Sequence, residues 1–127
     1  MAKTSLFRHA TKTVALSAGE TIFNEGDAGD IMYVIVSGTV NIALRGRHMI
    51  KLDEGEIFGE MGLIERDHRR TATAIAETDV VLANVDRVRF TFLVHESPFF
   101  ALDVMRTLSE RLHMANELLA KEAPADN

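Results

Sequence analysis

Short runs of alternating apolar and polar residues fill the first two thirds of the chain. In TVNIALR, residues 39–45, the side chains of Val40, Ile42 and Leu44 fall on one face of an extended strand, as a half-buried strand requires. Residues 31–36 are apolar throughout and partly β-branched, which predicts a strand covered on both faces. Residues 71–76 and 79–85 read as two further strands joined near Glu77-Thr78. All eight glycines lie between Gly19 and Gly62, where they punctuate the apolar runs as closely spaced turns do. Seven or eight short strands are therefore predicted between about residues 12 and 86, in a sandwich or roll.

The pattern then changes period. A short helix is predicted over residues 87–95. Ser97-Pro98 supplies an N-cap residue and a proline at the first helical position. The second helix runs to about Lys121, roughly 36 Å at the usual rise per residue. Ala101, Met105, Leu108, Leu112, Ala115 and Leu119 are spaced 4, 3, 4, 3, 4, a heptad seam on one face. The tail EAPADN reads as frayed. The expected fold is mainly β with helices: a jelly-roll-like β-roll of about eight strands over residues 12–86, then a helical arm over residues 87–121. No second domain is expected.

Composition narrows the function. The 127 residues suit one domain with a real core, and a net charge of −5 argues against general binding to nucleic acid. A local basic pocket for one small anion stays open. Zero cysteines exclude disulfides, thiolate metal sites and a cysteine nucleophile. The start MAKTSLFRHA lacks the apolar segment of a secretory signal, and no run approaches the roughly 18 apolar residues of a membrane span. The expectation is a cytoplasmic protein with neither a membrane nor a nucleic acid as partner.

The stretch IFGEMGLIERDHRRTATAIA, residues 57–76, carries the candidate chemistry. Gly59 lets backbone approach a ligand, and residues 60–63 suit a single helical turn whose first N–H groups face an anion. Arg70, ten residues after Glu60, can grip two oxygens of the same phosphate. Glu60 would repel that phosphate but can accept from neighbouring sugar hydroxyls. Two readings follow: a ribose-phosphate socket, or a solvated ion pair of little energetic weight.

The chain resembles the cyclic nucleotide-binding domain family over nearly all its length, from about Val14 to Leu119. GETIFNEGDAGDIMYVIVSGTV, residues 19–40, matches the family's structural glycine pattern, and FGEMGLIERDHRRTATA looks like its phosphate-binding cassette. The resemblance implies a cyclic nucleotide, cAMP and/or cGMP, bound by Gly59, Glu60, Met61, Gly62, Arg70, Thr71 and Ala72. It gives Glu60 the ribose 2′-hydroxyl and Arg70 the exocyclic phosphate oxygens. Arg69 stands where many members have proline, and Gly62 where many have alanine. On the lid helix the register puts Ala115, with Asn116 beside it and Arg111 one turn earlier, opposite the base. Ala115 brings no hydroxyl, whereas Thr71 matches a position that accompanies cGMP recognition.

The implied mechanism is conformational. Phosphate draws in the cassette, the junction before the long helix acts as a hinge, and that helix closes over the base or pairs with a partner. A sensor, not an enzyme, is expected, with no metal or cofactor, an unidentified downstream protein, and a homodimer as one use of the helix. The rivals are a degenerate β-roll that binds proteins without nucleotide, and a cupin-type metal enzyme. No His-x-His spacing supports the latter. Arg69 reads as a solvated charge, Met32 as core, His48 and His68 as turn residues, and the Asp27/Asp30 pair as turn carboxylates.

Overall fold

The computed structural model describes residue 7 and residues 12–44, 48–64 and 66–122. The expected strand residue Arg45 and the tail beyond Glu122 lie outside them. Eight strands form two antiparallel sheets: β1 (Thr13–Leu16), β2 (Thr21–Phe23), β3 (Met32–Ser37), β4 (Val40–Leu44), β5 (His48–Leu52), β6 (Ile57–Phe58), β7 (Thr73–Ala76) and β8 (Val80–Val85). One sheet has the order β1-β8-β3-β6 and the other β2-β7-β4-β5. A single turn of helix, α1 (Met61–Ile64), follows β6, and α2 (Arg87–Glu96) and α3 (Pro98–Glu122) follow β8. The fold class expected from the patterning, a β-roll with a cassette helix and a helical arm, is the one observed.

Strand β3 shows why its run is continuously apolar. Met32 and Val34 enter a core beneath the helices, while Ile35 enters a second core between the sheets. β8 divides the same way, with Ala83 and Val85 on the helix side and Val80 and Leu82 between the sheets. The first sheet is thus a middle layer, and alternate side chains feed two cores.

The helices join through Ser97. Its N–H donates to the Leu93 carbonyl and closes α2, and its own carbonyl accepts from Phe100 N–H at 2.9 Å. Asp86 caps the start of α2, accepting from Arg89 N–H at 2.8 Å.

The packed stripe of α3 differs from the expected seam. Phe100, Val104 and Thr107 are buried, and Phe100 meets the rings of Phe7 and Phe90 edge-on. Met105, Leu112 and Leu119, by contrast, are 57%, 62% and 59% exposed. The helix is apolar on more than one side, so the heptad spacing picked a true stripe but not the one the core uses. Two boundaries also shift: β7 starts at Thr73, leaving Arg70 and Thr71 in the preceding loop, and His48 opens β5 instead of lying in a turn. No helix among the described residues is long and apolar enough to cross a membrane.

Candidate functional site

A cavity of about 520 Å³ opens between the second sheet and α3. That volume suits a small-molecule ligand. Its floor is apolar, built from Phe23, Ile42, Ile50, Leu52 and Phe58. Its end wall is the turn of residues 59–62 with the loop of residues 70–72, so Gly59, Glu60, Met61, Gly62, Arg70, Thr71 and Ala72 are brought together on one surface. α3 roofs it with Leu108, Arg111, Leu112 and Ala115. Asn116, expected beside Ala115, is exposed and not part of the wall, because one residue along a helix turns a side chain by about 100°.

The glycine-rich turn after β2 places Arg70. Arg70 N–H donates to the Asp27 carbonyl and Gly26 N–H donates to the Arg70 carbonyl, each at 2.8 Å, and Ala28 bridges Arg69. Gly29 N–H donates to the His68 carbonyl, also at 2.8 Å. Two segments some forty residues apart are thus zipped into one unit. Within it Asp27 turns its carboxylate onto Asn24 N–H at 2.9 Å, a turn role, and exposed Arg69 donates to the Gly26 carbonyl at 3.1 Å.

Arg70 is only 5% exposed. Its guanidinium lies 4.2 Å from the Phe23 ring centroid, in a cluster where Phe23, Tyr33 and Phe58 stack. NH1 donates to the Gly59 carbonyl at 2.9 Å, while Nε has no partner. Burial pushes this guanidinium below the usual arginine range, opposed by Tyr33, Asp30, Asp27 and Glu60, and it remains cationic.

Glu60 is 3% exposed. Its Oε1 accepts from Arg111 NH1 at 2.5 Å, and Arg111 NH2 donates to the Ile57 carbonyl. Oε2 has no partner. The cavity wall therefore includes a buried cation and a buried carboxylate, each with one buried atom that has no partner. Unsatisfied buried polar atoms cost free energy. Two further ties were not legible in the sequence: Arg87 NH2 donates to the Leu63 carbonyl at 2.8 Å, joining α2 to α1, and His68 Nδ1–H donates to the Gly62 carbonyl at 2.8 Å. No group of three metal-ligating side chains occurs among the described residues.

The family profile described as the cyclic nucleotide-binding domain matches residues 13–97. The chain belongs to the cyclic nucleotide-binding domain family. It is 40% identical over 94 residues to a cyclic nucleotide-gated potassium channel of Rhizobium etli, covering 74% of this chain and 26% of the channel. It is 33% identical over 107 residues to a CRP-like cAMP-activated global transcriptional regulator of Mycobacterium tuberculosis, covering 80% of this chain and 47% of the regulator. The chain thus spans less than half the length of either relative. Among solved structures, a protein of a cyclic-GMP-dependent signalling pathway that regulates bacterial phytopathogenesis superposes with a TM-score of 0.76 at 27% identity, over 89% of this chain and 98% of that one.

Proposed function

We propose that the chain is a cyclic nucleotide sensor that takes cAMP and cGMP and acts without catalysis. The observation that carries this reading is the pair of unsatisfied buried atoms, Arg70 Nε and Glu60 Oε2, on residues of one cavity wall. The cyclic phosphate takes Arg70, and the ribose 2′-hydroxyl donates to Glu60. The base lies against the apolar floor under α3. Thr71 brings the one hydroxyl side chain among the described wall residues, so base discrimination rests on about one neutral hydrogen bond, ~0.5–1.5 kcal/mol. Both bases bind, with cAMP equal or slightly favoured.

Signal leaves through α3. Glu60, the proposed sugar ligand, already holds Arg111 of that helix, so loading the carboxylate alters the grip on α3. Titration calorimetry with cAMP, cGMP and 2′-deoxy-cAMP tests the reading. Wild type binds the first two and prefers cAMP to its deoxy analogue, whereas Glu60→Ala binds cAMP and the analogue about equally. A mutant that keeps the full preference removes the glutamate from the sugar, and wild type that binds neither nucleotide ends the proposal.

The exposed seam of α3 has a use in the same scheme: pairing with a second copy of the chain. Met105 and Leu119 lie on it without touching the cavity. Met105→Glu with Leu119→Glu should convert a dimer to a monomer in sedimentation, leaving nucleotide affinity unchanged. An unaltered sedimentation coefficient would assign the seam to some other partner.

A further inference from the structure

We infer that the base site selects for size and apolar surface and not for hydrogen-bond pattern, so that its ligand class is 3′,5′-cyclic nucleotides at large, the pyrimidine members cCMP and cUMP included. The inference deepens the reading of the cavity as a cyclic nucleotide site and rests on it. Among the described wall residues, four have polar side chains: Glu60, Arg70, Thr71 and Arg111. Glu60 and Arg70 belong to the sugar and the phosphate. Arg111 is engaged by Glu60 Oε1 and the Ile57 carbonyl. That leaves Thr71, which follows Arg70 directly on the end wall, as the one side chain with a polar group to offer a base.

The surfaces that flank the base are hydrocarbon. Ile42, Ile50 and Leu52 lie on the floor, and Leu108, Leu112 and Ala115 on the roof. Backbone supplies no substitute for polar side chains there. Ile42 pairs with Ile50 on one side and Ala74 on the other, so the N–H and carbonyl groups of the floor lie in the plane of the sheet and not toward the cavity. Those of α3 run along the helix axis. Leu112 and Ile64 line the cavity and are nevertheless 62% and 48% exposed, so the cavity opens to water beside them. The polar edge of any base can turn to that mouth and keep its hydration. No base is then penalised for the donors and acceptors it carries.

Magnitudes separate this site from one that reads the base. A site built to hydrogen-bond its ligand rejects an analogue lacking the partner by roughly 10⁴-fold, because its own buried groups are left unpaired. An apolar clamp has no such group to leave unpaired. A pyrimidine, one ring smaller than a purine, buries roughly 50 Å² less surface, a loss of roughly 5- to 20-fold in affinity. Thr71 adds one neutral hydrogen bond at most, roughly 2- to 10-fold. Which signal the chain registers is then decided by the nucleotide cyclisation that supplies it, purine or pyrimidine, and not by the cavity.

Calorimetry of the wild-type chain with cAMP, cGMP, cCMP and cUMP tests this. The two pyrimidines decide it, because cytosine and uracil match in size but exchange a donor for an acceptor at the 4-position. An apolar clamp holds them within about 3-fold of each other and within about 20-fold of cAMP. A wider gap in either comparison, in a chain that binds cAMP or cGMP, overturns the inference and leaves the functional reading standing. Leu112→Ser trims the roof at an exposed position and should weaken all four ligands by a similar factor, roughly 3- to 10-fold. A loss confined to one base, or no loss at all, overturns the inference as well. Wild type that binds neither cAMP nor cGMP ends the functional reading instead, so the two failures are distinguishable.

Discussion

Arg70→Ala should weaken cAMP binding by about 10- to 150-fold, the worth of one charge-assisted hydrogen bond at ~1.5–3 kcal/mol. The guanidinium is the only buried cation on the end wall of the cavity among the described residues, and a cyclic phosphate has no other charge to meet there. Arg70→Lys should recover little of the loss. A lysine ammonium is a point charge without the planar face that packs on Phe23 at 4.2 Å, and it cannot grip two oxygens in one plane. The domain itself should stay folded in Arg70→Ala, because the backbone bonds from Arg70 to Gly26 and Asp27 do not involve the side chain. Circular dichroism separates a folded mutant that has lost its ligand from one that has lost its fold. Unchanged calorimetric affinity in a folded Arg70→Ala would return the arginine to a purely structural ion.

How far the sequence discloses this site follows from the range of the interactions. The strands were legible because alternation is local: Val40, Ile42 and their neighbours declare a face within seven residues, and glycines mark where each run ends. Glu60 and Arg70 were legible as a pair of types, since a glutamate and an arginine around a glycine turn are the chemistry a sugar phosphate needs. The contacts of those side chains were not legible. Arg111 reaches Glu60 across 51 residues and Gly29 seats Arg70 across about forty, and no periodicity reports pairings that distant. The stripe of α3 was missed for a different reason. Its first turns carry Phe99, Phe100, Ala101, Leu102, Val104 and Met105, so several stripes satisfy a heptad. Only packing selects Phe100, Val104 and Thr107, with Phe99 left 76% exposed. Because Phe100 and Val104 belong to the core beneath the helices, α3 is a part of the fold whose far turns roof the cavity, not a detachable arm.

That arrangement makes Arg111 the residue through which a bound ligand is felt by the helix, and removing it should be costly. Arg111→Ala leaves the Glu60 carboxylate, 3% exposed, without its partner across the cavity, and also frees the Ile57 carbonyl. Breaking a buried pair from one side typically costs ~3–5 kcal/mol, and the lower end applies here because the Arg111 side chain is 21% exposed. The midpoint of urea unfolding should therefore fall clearly. Glu60→Leu with Arg111→Met should recover most of that stability, since replacing both members of a buried pair with apolar side chains removes the desolvation cost along with the attraction. The same double mutant should lose its preference for cAMP over the 2′-deoxy analogue, because the sugar acceptor is gone. Recovered stability together with lost sugar discrimination would show that one carboxylate serves both the helix and the ligand. If Arg111→Ala unfolds at the wild-type midpoint, the ion pair does not hold α3, and the route from ribose to helix must lie elsewhere, with the Arg87 contact to the Leu63 carbonyl the next to test.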